Sequence, residues 1–425
     1  MIRRALAVIV LLAAPLGCAS PCARVRAAHA EITTRTEPSA PGDHLRLAIP
    51  RELLDLVIAR ELRKIPRARL PLPAIAGVQL GSASVGVDRV HVVPAARSEV
   101  GFDIDVSVRS GSRVLAPLRL KASVRPRLEP AEGRLVLALD EQGLVRLDAE
   151  LGPGGNRALV DALWAELPAP ARMLTSKKQL AELAGSLTKR LLADATKLVR
   201  RELLDDLGRV ARIEIDLPPV DADAIDVRSM GKDLIVGVHT SLPVRGSIPE
   251  AQPRSAPPHQ VELAMHGSAA VELVNAAMRR GEVPSRFALD GVADPNGALQ
   301  AHLDWAVDGP KPLVVHAFLL DPRAAGRPEK DCAHVTLGAT PRVSADAGKL
   351  VVATDDAKID SVTGSSAVKA GLLFGGVTRR SFEHVEHVAA DTDFELGAQT
   401  LRAQVQSATL RGQTLVLGLT LAPAR

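Results

Sequence analysis

The chain has no tyrosine, two tryptophans and six phenylalanines, so aromatic residues make up only 2% of its 425 positions. Stacking platforms for unpaired bases need aromatic rings, so no nucleic-acid partner is expected. A core must instead be aliphatic. Cysteine is scarce too: Cys18, Cys22 and Cys332 cannot build a disulfide framework, and none has metal-ligand spacing. Runs of five or six basic residues are missing, and the net charge is only +4. Beyond the N-terminus there is no 18-residue apolar run, so no other segment is expected to cross a bilayer as a helix. No nucleophile elbow or dinucleotide fingerprint occurs. Gly152-Pro153-Gly154-Gly155 has a proline where a phosphate nest needs an N–H. Neither an enzyme nor a cofactor is expected.

What the chain does have starts with a targeting segment. Arg3 and Arg4 precede an apolar stretch, Ala5 to Leu16, which ends in Pro15-Leu16-Gly17-Cys18. This resembles the lipobox of bacterial lipoproteins, which implies a signal peptide at 1–17 and acylation of Cys18. The expected place is the cell envelope, as an outer-membrane lipoprotein facing the periplasm. The alternative is ordinary secretion, with cleavage near Ala28-His29-Ala30. Cys22 and Cys332 then remain, as a bridge or as two separate thiols.

Residues 18–43 are mostly small or polar and read as a tether. A second break, with Pro249, Pro253, Pro257 and Pro258, sets a linker at 247–258 between blocks 44–246 and 259–425. The blocks look like repeats. His44 to Ile49 alternates as a strand and leads into a helical stretch, Pro50 to Ile65, with Leu54, Ile58 and Leu62 on one face. His259 to Met265 does the same before a helix with Ser268 as its predicted N-cap. The endings match as well, Gly231 to Val238 against Gly412 to Leu419.

Between these ends, Phe102 to Arg109, Leu118 to Arg125, Leu135 to Leu139 and Val145 to Leu151 alternate with period two, with a hairpin turn at Glu132-Gly133. That is the mark of an antiparallel sheet with one apolar face. Ser176 to Leu207 then turns helical, with Leu180, Leu183, Leu187, Leu191 and Leu198 recurring every three or four residues. Ser365 to Ala389 is its expected counterpart in the second block, interrupted by Gly371, Gly375 and Gly376.

The order strand, short helix, alternating strands, long amphipathic helix and final strands occurs twice. It resembles the tubular lipid-binding (TULIP) superfamily, which includes proteins like the bactericidal/permeability-increasing protein. The carrying segments are Leu47 to Pro50, Leu118 to Leu128 and Ser176 to Leu207. The resemblance implies an α+β fold of two repeats, each a long helix wrapped by a curved antiparallel sheet. It also implies a lipid or other apolar ligand held between helix and sheet, in a groove lined by Leu53, Val57, Phe102, Ile104, Val106, Leu183, Leu187 and Leu191. The alternative is the same fold with a dry core, serving as a structural or protein-interaction module.

Minor features read as scaffolding. His384 and His387 in Glu383-His384-Val385-Glu386-His387 fall on a helix end without zinc-protease spacing. Asp355-Asp356 reads as a turn between strands. Trp164 and Trp305 read as core.

Overall fold

Alternation of β-branched and polar residues runs through most of the chain, and where it does the backbone forms strands. The computed structural model describes residues 20–423 except 36–37, 63–66, 72–73, 76–77, 80–81, 97, 112, 130–133, 139–140, 153, 168, 170–171, 173–175, 199, 201–211, 217–221, 251–253, 255, 258, 289–291, 321–330, 367, 369–385, 389–391 and 397–398. The signal peptide and Cys18 therefore lie outside the described residues.

The first half contains α1 (Pro21–Thr33), β1 (Leu45–Pro50), α2 (Arg51–Leu62), β2 (Ala68–Pro71), β3 (Ser82–Val93), β4 (Val100–Ser110), β5 (Arg113–Val124), β6 (Arg127–Glu129), β7 (Arg134–Ala138) and β8 (Leu144–Leu151). It continues through α3 (Gly155–Glu166), α4 (Lys177–Leu198), β9 (Arg212–Asp216), β10 (Ala222–Met230) and β11 (Asp233–Thr240). The second half contains β12 (Val261–His266), α5 (Gly267–Arg280), β13 (Arg286–Phe287), β14 (Leu299–Trp305), β15 (Leu313–Leu319), β16 (Ala333–Asp346) and β17 (Lys349–Gly364). It closes with β18 (Glu386–Val388), β19 (Thr392–Leu396), β20 (Gln399–Arg411) and β21 (Thr414–Pro423). The fold is α+β, and its sheets are antiparallel.

A ten-stranded sheet, ordered β10-β11-β1-β12-β21-β20-β19-β9-β7-β6, joins the halves. The opening strands of the two blocks pair with each other at its centre, with Leu47 opposite Leu263. Arg46 pairs with Ala264 and Ala48 with Glu262, so β1 and β12 are related by a local two-fold. Each is flanked by the closing strand of its own block, Leu47 against Val236 and Leu263 against Leu417. The hairpins that close the blocks both turn on a glycine with positive φ, Gly231 at 58° and Gly412 at 57°. The segments that match in sequence thus occupy equivalent places in one sheet.

One face of this sheet, with Leu45, Leu47, Ile49, Val236, Val261 and Leu417, enters the main core. On the other face the described linker residues Ile248, Pro249 and Ala256 meet the sheet. Ile248 is buried with Ala264 and Val416. The Arg46 guanidinium donates to the Pro249 carbonyl at 3.0 Å, and the Glu262 carboxylate accepts from the Ala256 N–H at 2.7 Å.

The first half adds a five-stranded sheet, β8-β5-β4-β3-β2. Helix α4 touches both its edge strands, β8 and β2. Five strands spaced about 4.8 Å apart span roughly 19 Å if flat. The sheet curls, and α4 reaches both of its edges. Ser176 and Gln179 form a capping box at the start of α4: the Ser176 hydroxyl accepts from the Gln179 N–H at 3.2 Å, and the Gln179 amide oxygen accepts from the Ser176 N–H at 2.9 Å. The predicted helix runs to Leu207, but 201–207 lies outside the described residues. The second half adds a six-stranded sheet, β13-β14-β15-β16-β17-β18.

Several expectations are corrected. Residues 18–43 are not a tether throughout. Ser20 caps α1, Pro21 fits its first turn, and Cys22 is bonded to Cys332. Ser268 does not cap α5; the His266 ring does, accepting from the Ser268 N–H at 3.3 Å. The expected helix 365–389 ends as strand, because Val388 and His387 pair with Leu350 and Val351. Asp355-Asp356 is no turn but an irregularity inside β17, with Asp356 at φ 52°. Strand β7 belongs to the ten-stranded sheet through β9, not to the β3–β5 meander. The Glu132-Gly133 turn lies outside the described residues.

Candidate ligand groove

In both halves the helix after the first strand grips the open edge of a later strand. Strand β3 pairs with β2 only over Ser82–Val85. Beyond that, Asp55 of α2 takes over: its carboxylate accepts from the Val92 N–H at 2.8 Å and contacts His91 Nδ1 at 2.9 Å. Strand β14 pairs with β13 only at Leu299 and Gln300. Asn275 of α5 then satisfies both backbone groups of Leu303, accepting from its N–H at 3.0 Å and donating to its carbonyl at 2.8 Å. These grips hold each curled sheet beside its helix.

The first sheet turns three aliphatic rows to one side: Val92–Phe102–Ala122–Leu147, Val90–Ile104–Leu120–Ala149 and Val87–Val106–Leu118–Leu151. Of the predicted lining residues, Phe102, Ile104 and Val106 lie there side by side. They are 6%, 0% and 2% exposed and belong to the main core, which also takes in Leu159 and Leu163 of α3 and Leu180 of α4. Leu53 is half-buried and packs against the same core. Leu183, Leu187 and Leu191 fall on α4 and Val57 on α2, and their side chains lie outside the described residues.

The second sheet has matching rows, Ala301–Ala317–Val335–Val362 and Leu303–Val315–Leu337–Ile359, with Leu299–Leu319–Ala333 beside them. By alternation they share the face turned away from α1. Here the burial differs. Val335 and Leu337 are buried, but Leu299, Ala301, Leu303, Val315, Ala317 and Leu319 are all only half-buried. Trp305 closes one end, with its ring against the backbone of Gly267. These residues escaped sequence reasoning, which placed the lining in the first block where the long helix was unbroken. The alternation of Leu299, Ala301, Leu303 and Trp305 was the available signal.

The opposite face of this sheet carries Gln300, His302, Asp304, His316, Phe318, His334 and Thr336, and α1 lies over part of it. A cleft of about 540 Å³ opens elsewhere, where the β16–β17 hairpin meets β20, lined by Ala345, Lys349, Arg402, Gln404, Val405 and Gln406. Its polar rim does not suit an acyl chain. His387 sits in β18, and His384 lies outside the described residues. Among the described residues no group of three His, Cys, Asp or Glu side chains is arranged to hold a metal ion.

No known family profile matches the chain, and no curated protein does. Among solved structures it is similar to a lipopolysaccharide binding protein, with 13% identity over 91% of this chain and 100% of that one, at a TM-score of 0.26. It is also similar to P47 of Clostridium botulinum E1, with 7% identity over 90% of this chain and 100% of that one, at a TM-score of 0.41.

Proposed function

We propose that the protein binds a lipid or other apolar molecule, and that the half-buried aliphatic face of the second sheet takes part in holding it. One observation carries the reading: rows of the same chemical type are buried in the first half except at the edge positions Val87, Leu147, Ala149 and Leu151, and are incompletely covered through β14 and β15 in the second. Six aliphatic side chains left half in water are a cost that a bound acyl chain removes. Each methylene transferred from water contributes about 0.8 kcal/mol. No charged clamp is needed for such a ligand.

The rest of the reading follows from the resemblance. Each half would be a TULIP-like unit with its long helix in the curl of the sheet, and an acylated Cys18 would hold the protein at the cell envelope. Alternative cleavage near Ala28–Ala30 would cut inside α1 and discard Cys22 with its disulfide. The rival is a dry-core structural module. It is favoured by the complete burial of Phe102, Ile104 and Val106.

Native mass spectrometry of protein purified from its own envelope separates the two. Bound lipid is expected. Ala317→Trp, which fills the second face, should reduce the lipid recovered while leaving the circular dichroism unchanged. Leu183→Trp should do so if the ligand lies in the first half. Wild-type protein that carries no lipid would establish the dry-core rival.

A further inference from the structure

We propose that α1 is an acid-released clasp, held on the outer face of the second sheet by a chain of histidine and phenylalanine rings and retained by its disulfide when it lifts. The proposal is independent of the ligand reading.

The clasp has one covalent point, Cys22–Cys332. Its remaining hold is a small patch in which Cys22, Val25, Phe318 and Cys332 are buried together. The His29 ring of α1 meets Phe318 edge-on, with centroids 4.9 Å apart. Phe318 stacks on His334 at 4.3 Å. His334 Nε2 lies 3.1 Å from His316 Nδ1, and His316 Nε2 lies 3.8 Å from the Asp304 carboxylate. His302 stands directly across from His316 in the ladder. Three histidines of the sheet thus continue in line from the His29 ring of α1. The Nε2 atoms of His29 and His316 are buried without a hydrogen-bond partner.

The surroundings decide what a proton does here. Asp304 is already shared, with Arg35 at 3.2 Å and Arg245 at 3.3 Å. Helix α5 presents Arg279 and Glu272 to this region, and burial pushes the Glu272 carboxyl up. Strand β17 presents Ser361 and Thr363 opposite Thr336 and His334. On α1 itself, Arg24, Arg26 and Glu31 are exposed. Near the rings, three guanidinium groups thus face two carboxylates. Any imidazolium adds to a positive excess in a buried place, where charge is costly. Burial, together with His316 and His29, holds His334 down to about 4. Burial and His316 hold His302 down to about 4 as well, against the pull of Asp304. His334, joined to α1 through Phe318 and His29, therefore accepts a proton only once α1 has moved away and admitted water, and His302, whose ring also meets Asn275 of α5 at 3.5 Å, adds to that drive through His316.

The test uses the full oxidised chain. Its disulfide is reduced with a phosphine at steps from about pH 7.5 to 4.5, and released thiols are counted by alkylation and mass spectrometry. Rates are normalised to oxidised glutathione in the same buffers, with circular dichroism recorded in parallel. Cys22 and Cys332 are 4% and 0% exposed, so reduction reports opening. The normalised rate should rise at least about tenfold, the equivalent of one pKa unit, while the circular dichroism stays constant. The double variant His302→Gln with His334→Gln should flatten that dependence. His29→Gln, which touches only the α1 side, should flatten it in part and covers the case where the double variant does not fold. A wild-type rate that is flat across this range would overturn the clasp. So would loss of circular dichroism at the same midpoint, because the event would then be global unfolding.

Discussion

Gly267 shows how much one side chain decides. A Cβ there would lie 2.1 Å from the Trp305 ring, which seats itself on the bare backbone at the start of α5. Gly267→Ala should therefore destabilise the protein by about 1–3 kcal/mol, read from the denaturant midpoint. Asn275 is 1% exposed, and its amide is the edge partner of Leu303. Asn275→Ala leaves that N–H and C=O without protein partners and should cost about 1–3 kcal/mol. Asn275→Asp should rescue little, because a carboxylate cannot donate to the carbonyl. The buried histidines set the pH dependence. Burial holds His266, His302 and His334 at about 4, below the 6.5 of a free imidazole. Their folded values are depressed, so the stability they contribute is complete above about pH 6.5. It is lost as pH falls towards 4, because only the unfolded chain takes up the protons. Urea unfolding at stepped pH should show that decline, and His266→Gln should shrink it.

At the scale of elements, α1 depends on a contact made across nearly the whole chain. The Cys22–Cys332 bond spans 310 residues of sequence. Replacing both cysteines with serine should lower stability by about 2–5 kcal/mol and make Arg24 and Arg26 early sites of tryptic cleavage. Sequence composition could not find this helix. Its residues are small and polar, and burial of Cys22 and Val25 against Phe318 is what orders them. The opposite error occurred at 386–388, where a helical pattern was expected and pairing with β17 prevailed. Helix α4 was readable because it carries an apolar period, a local signal, and the structure adds a capping box at its start.

For the whole molecule, the two-fold pairing of β1 with β12 makes the halves one cooperative unit. Their opening strands share a ladder, and the core takes residues from both, Leu47 and Val236 from one and Val261 and Leu417 from the other. Calorimetry should show a single transition. Leu47→Ala, at the centre of the ladder, should lower stability by about 2–4 kcal/mol and reduce hydrogen-exchange protection in β21 as well as β11. Two independent transitions would contradict a shared core.

Period-two and period-3.6 patterning, the matching block ends and the near-absence of aromatics were enough to specify an aliphatic α+β protein with an internal repeat. Those features are local, and side-chain alternation states which residues share a face. Which face is covered, and how completely, is a property of neighbours distant in the chain. Ile104 and Val315 both lie in aliphatic rows that cross antiparallel strands, yet one is buried in the main core and the other is left half in water. The pairing of Leu47 with Leu263, the staple at Cys332 and the line of histidines running from α1 across the second sheet arise the same way. Each requires chain closure over many residues, so none could be written into any short stretch of sequence.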